Sequence, residues 1–104
     1  MSEAEKKKRA FRGSKKWKTF RHNMVVECGS KDVVTGKKLI KGFECHHMDL
    51  DADNYENLDN KDNFVCLNKQ THKMVHFLYT YYKKDKNIVK RLVEVLDKMV
   101  EINV

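Results

Sequence analysis

Apolar positions recur along this chain in two rhythms, and the changes between them mark out helical and extended stretches. Trp17, Phe20 and Met24 follow Ser14 at intervals of three and four. Serine is a good N-cap and the spacing lays the three side chains on one face, so a short helix over about residues 15–25 is predicted, its stripe packing into a core. Before it, the first dozen residues have almost no apolar content, and residues 1–13 are expected to be a disordered arm. Val33 to Ile40 places β-branched residues around a Thr35-Gly36 turn, and Phe43 to Met48 continues as an extended run, which predicts a small hairpin leading into His46-His47. Asn63 to Leu67 reads as another short strand, after a long asparagine-rich loop from Asp49 to Asp62. Thr71 offers an N-cap for a helix through His72, Val75, His76, Tyr79 and Tyr82. A last helix from Ile88 to Ile102 is predicted from Ile88, Leu92, Val95, Leu96 and Met99 on one face, widened by Val89, Val93 and Val100.

Composition narrows the class. With 104 residues and 40% apolar content the chain can build one modest core, and without proline, internal repeat or glycine-serine linker residues 14–104 read as a single domain. No apolar run is long enough to span a membrane, and the N-terminus has charges where a signal peptide needs an apolar stretch. Three widely spaced cysteines, Cys28, Cys45 and Cys66, do not make a disulfide framework and read as small buried apolar residues. These features suggest a soluble, cytoplasmic protein with reduced thiols.

Charge is distributed unevenly. The net charge is +7, and Lys6, Lys7, Lys8, Arg9, Arg12, Lys15, Lys16, Lys18 and Arg21, against Glu3 and Glu5, account for all of it. Such an arm attracts polyanions, because each neutralised phosphate releases condensed counterions. The stretch Glu44 to Asp62 holds seven carboxylates and one lysine. Asp49, Asp51 and Asp53 match the start of a calcium-binding EF-hand loop, but Asn54 stands in place of the turn glycine and Asn60 in place of the bidentate glutamate. These carboxylates are expected to face solvent and to turn nucleic acid away from the loop.

Four of the five histidines fall into two pairs; His22 stands alone. His72 and His76, four apart on a helix, share one face, so with one histidine of the strand they can surround a divalent ion. Three imidazoles with an open position suit zinc, nickel or manganese and catalytic use. Adjacent strand residues point to opposite sides. That divides the labour of the strand pair: one imidazole coordinates, and its neighbour takes a proton from water.

Glu44-Cys45-His46-His47-Met48-Asp49, Asn63-Phe64-Val65-Cys66-Leu67 and Thr71-His72-Lys73-Met74-Val75-His76 together resemble the HNH endonucleases, the ββα-metal or His-Me finger nucleases. The likeness covers about residues 25–80. It implies an α+β fold, a ββα-metal core flanked by an N-terminal and a C-terminal helix. It implies His46, His72 and His76 as ligands of one divalent ion (zinc, manganese, nickel or magnesium), and His47 as the general base. Asn63 is implied as the residue that fixes the base and loop or lies at the metal. The implied activity is hydrolysis of DNA phosphodiester bonds by an endonuclease or nickase, with the basic residues named above contacting the backbone. Short phage relatives further imply a place beside packaging or replication machinery. The chain lacks the paired Cys-x-x-Cys knuckles of many relatives, and Arg12, Arg21 and Arg91 are all candidates for an arginine that steadies the transition state. Two other readings stand beside the nuclease: a non-catalytic ββα module that binds nucleic acid or protein, and a structural zinc domain built on Cys45, Cys66 and His72.

Overall fold

The structure is a computed structural model and describes residues 2–49, 58 and 61–104. Helices α1 (Glu3–Arg12) and α2 (Lys15–Glu27) come first, followed by strand β1 (Glu44–His47), a single 3₁₀ turn (Lys61–Asn63), strand β2 (Phe64–Leu67), and helices α3 (Lys69–Tyr82) and α4 (Lys86–Ile102). The class is α+β. Two compact units divide the chain, Met1–Thr71 and His72–Val104, where sequence patterning suggested one domain from residue 14 onward. The division falls inside α3, which runs through it unbroken.

The expected disordered arm is instead helical over Glu3–Arg12. Ser2 caps α1 by accepting from the Glu5 N–H. Glu3 and Glu5 sit in the first turn and Arg9 and Arg12 in the last, each sign matched to the helix dipole. Local capping and charge order therefore build a helix that low apolar content alone argued against. Ser14 caps α2 as expected, accepting from the Trp17 N–H at 3.2 Å.

In the first unit β1 and β2 pair antiparallel, Cys45 opposite Cys66 and His47 opposite Phe64. Alternation puts Cys45, His47, Phe64 and Cys66 on one face and Glu44, His46, Val65 and Leu67 on the other. The first face meets α2. Met24, Phe64 and Cys66 form the buried cluster, with Trp17, Phe20, Cys28, Leu39, Cys45 and Leu58 packed against it. Phe20 meets Phe64 edge-on with centroids 4.7 Å apart, and Trp17 lies beside both rings. The Trp17-Phe20-Met24 stripe thus packs as a core face.

Residues 30–40 form a minimal hairpin and not two full strands: around a single antiparallel bridge between Lys31 and Lys38, the Leu39 N–H donates to the Ser30 carbonyl and the Asp32 N–H to the Lys37 carbonyl, both at 2.8 Å. These residues wrap around Asp32, whose Oδ1 accepts from the N–H groups of Val34 and Thr35 at 2.8 and 2.9 Å, an Asx turn closed at Gly36 with φ +71°. The Val33 N–H donates to the Cys66 carbonyl at 3.1 Å, which ties this segment to β2. Asp32 Oδ2 accepts from the Asn68 N–H at 2.8 Å, and the Asn68 side chain in turn holds Ile40 N–H and Lys38 C=O. Thr71 is no N-cap: α3 begins two residues earlier, and the Thr71 side chain bonds to Asp32 from within the first turn. Most of the acidic loop, including the calcium-loop positions Asp51, Asp53, Asn54 and Asn60, lies outside the described residues.

The second unit holds the rest of α3 and α4. Asp85 caps α4, accepting from the Asn87 N–H at 3.0 Å, and pairs with Arg91.

Candidate metal centre

His46 leaves β1 on the face opposite the α2 core and is buried. His72 and His76, one turn apart on α3, bring their Nε2 atoms to 3.0 Å with the rings nearly perpendicular at 84°. Metal–nitrogen bonds of about 2.0–2.1 Å, at angles between octahedral and tetrahedral, separate two ligand nitrogens by roughly 2.9–3.4 Å. The observed spacing falls in that range, so the pair fits a shared ion; without one, the contact serves as an N–H···N hydrogen bond. Ligand atoms of His46, His72 and His76 all lie within 4.8 Å of one another. Among the described residues this is the one group of three or more His, Cys, Asp or Glu so disposed.

The geometry separates the two strand histidines. Half-buried His47 lies flat on Phe64, ring centroids 4.4 Å apart and planes 6° from parallel. Phe64 is held from beneath by Phe20 and Trp17, so the core fixes the plane of the imidazole. Asn63, in the 3₁₀ turn, accepts through its backbone carbonyl from the Met48 N–H at 2.6 Å, one rung beyond His47. It therefore closes the strand pair at the end where His47 sits.

Burial pushes the Asp32 carboxyl up, but the Thr35 N–H, the Thr71 side chain and the N–H groups of Asn68 and Val34 outweigh it and bring its pKa to about 2. Asp32 is thus an ionised, buried anchor for the start of α3. The sequence reading missed it, although Asp32-Val33-Val34-Thr35-Gly36 carries an Asx-turn signal.

The cysteines do not join the histidine group. Cys45 and Cys66 face each other toward α2, away from His46, so the zinc reading based on Cys45, Cys66 and His72 is not assembled. Burial pushes the Cys45 thiol up to about 11, against the lowering effect of Arg21. Burial and a hydrogen bond with Cys28 push Cys66 up to about 12.

Of the basic residues, Lys6, Lys7, Arg9 and Arg12 are exposed on α1 and Lys15, Lys16 and Lys18 on α2, while Lys8 is half-buried. Lys6 also pairs with Glu3. Arg21 is engaged elsewhere: its guanidinium donates to the Phe43 carbonyl at 3.3 Å and lies 3.9 Å over the Phe43 ring. It braces the residue that precedes β1. His22 is exposed. No described helix is long and apolar enough to cross a membrane.

No family model, curated protein or solved structure matches the chain.

Proposed function

We propose that this chain is a metal-dependent endonuclease or nickase of the HNH type that hydrolyses DNA phosphodiester bonds. The observation that carries the reading is the three-imidazole group of His46, His72 and His76 beside an imidazole, His47, that β1 turns to its other face. His46, His72 and His76 would hold one divalent ion, which when bound offsets negative charge on the phosphate and on the leaving oxygen.

His47 accepts the proton of the attacking water. Its stack on Phe64 leaves the in-plane ring nitrogens as its reactive edge and keeps the ring from rotating away. In-line displacement needs proton removal and leaving-group neutralisation on opposite sides of phosphorus, and the opposite facing of His47 and His46 on β1 supports that division of roles. Asn63 steadies the end of the hairpin on which His47 stands. The exposed cations of α1 and α2 supply contacts to the phosphate backbone that do not depend on base sequence.

The test uses supercoiled plasmid and metal-stripped protein, with magnesium, manganese, zinc or nickel added singly. Conversion to open-circular or linear DNA is expected with at least one ion. His47→Ala should abolish cleavage while metal and DNA binding persist. A wild-type protein that binds metal and DNA yet cuts with none of the ions overturns the nuclease reading and leaves a ββα binding module.

A further inference from the structure

Helix α3 carries a second stripe beside the side that holds His72 and His76. Lys73 follows His72 and Phe77 follows His76, each by one residue, a step of about 100° around the helix. Tyr81 and Lys84 extend the line at intervals of four and three, so cation, ring, ring and cation succeed one another along one side. The helical path carries on past Tyr82, since the Lys83 N–H donates to the Tyr79 carbonyl and the Lys84 N–H to the Tyr81 carbonyl, both at 3.0 Å. The Phe77 and Tyr81 rings meet at 59° with centroids 5.5 Å apart. Both stay open to solvent: Phe77 is 63% and Tyr81 44% exposed, and Lys73 and Lys84 are exposed with them.

Charge decides which partner suits these rings. From Asn63 to Lys84 there are four lysines (Lys69, Lys73, Lys83, Lys84) and no carboxylate. The next carboxylate, Asp85, caps α4 and pairs with Arg91 at 3.7 Å. Exposed rings in line with a cation at either end fit a strand that offers flat bases and phosphates in alternation. Paired DNA keeps its base faces inside the stack, so the rings can engage only unpaired bases. An apolar protein surface laid over the rings would strip water from the lysine at each end, a cost that a phosphate removes.

We infer that the side of α3 bearing Lys73, Phe77, Tyr81 and Lys84 binds single-stranded DNA, with bases stacked on the two rings and phosphates held by the two ammonium groups. The inference rests on the nuclease reading only for the choice of DNA; binding is read without metal, whether or not the chain cuts.

The experiment is fluorescence anisotropy of the full chain in EDTA with labelled strands of about 12 nucleotides: an oligothymidylate, an oligouridylate and an abasic strand with the same number of phosphates. The wild type is expected to bind the oligothymidylate at least about tenfold more tightly than the abasic strand, which can be held by charge alone. Phe77→Ala and Tyr81→Ala should each weaken oligothymidylate binding at least about fivefold and leave abasic binding unchanged. Neither ring is buried, so circular dichroism of both variants should match the wild type. Phe77→Tyr keeps a ring and should keep the affinity. Lys73→Ala and Lys84→Ala should weaken both strands and reduce the slope of log affinity against log salt by about 0.7 each. Equal affinity for the oligothymidylate and the abasic strand, or ring variants that weaken both alike, overturns the inference. So does tighter binding of the oligouridylate, or a dimer in sedimentation that Phe77→Ala dissociates, which makes the rings a contact between copies. A chain that gives the expected binding but cuts plasmid with no ion keeps this side of α3 as a strand-binding surface and loses only the proposed nuclease activity.

Discussion

Replacing Asp32 with asparagine keeps the shape of the side chain and removes its charge, at a residue only 1% exposed. The amide oxygen can still accept from Val34 and Thr35 N–H, but an NH₂ group then faces the Asn68 N–H. Donor meets donor at the start of α3. Losing one charge-assisted hydrogen bond and leaving a buried N–H without an acceptor costs roughly 2–4 kcal/mol together. The pH dependence gives a separate estimate. The folded carboxyl lies near 2 against an ordinary 3.8, a difference equivalent to about 2 kcal/mol at about 1.4 kcal/mol per unit. Because the folded value is the lower one, this stabilisation is complete above pH 4 and fades as pH falls through 4 toward 2. Urea unfolding followed by circular dichroism at pH 7 should find Asp32→Asn less stable by about 3 kcal/mol, and the gap to wild type should narrow by about 2 kcal/mol as the pH approaches 2. A variant within about 0.5 kcal/mol of wild type at pH 7, or a gap that does not change with pH, would refute the assignment of Asp32 as an ionised anchor.

Phe64→Leu should preserve most of the core yet remove the ring beneath His47; activity should fall well beyond the loss in stability, whereas Phe64→Ala should cost about 3–5 kcal/mol and fail in both, as urea unfolding and plasmid cleavage would report. His72→Ala and His76→Ala should each weaken zinc or nickel binding by at least about 100-fold in calorimetry, while Cys45→Ser should leave it almost unchanged. With Cys45 and Cys66 thiols pushed to about 11 and 12, alkylation of both by iodoacetamide near pH 8 should be slow in the native protein and fast in urea, a contrast that peptide mass spectrometry resolves by site.

Much of the candidate site was legible along the chain because its parts are local. Helical spacing alone puts His72 and His76 on one face, and strand alternation alone turns His46 and His47 apart. The same holds for the Trp17-Phe20-Met24 stripe and for the last helix, whose extent follows from period 3.6. Where local cues competed, the reading failed. Low apolar content argued for a disordered arm, but Ser2 capping and charge order built α1; Thr71 resembled a cap, but Asp32 claimed its side chain and α3 began at Lys69.

What only the tertiary structure decided involves partners far apart in the chain. Strand register put Cys45 opposite Cys66 and His47 over Phe64, and a one-residue slip would have reversed which histidine faced which side. Asp32, 36 positions before Asn68, holds the start of α3 through a hydrogen bond that no periodicity announces. Short-range patterns record which face a residue occupies, since backbone geometry repeats every few residues. Which faces meet depends on burial and hydrogen bonding summed over the whole fold, and that summation brings the nitrogens of His46, His72 and His76 together.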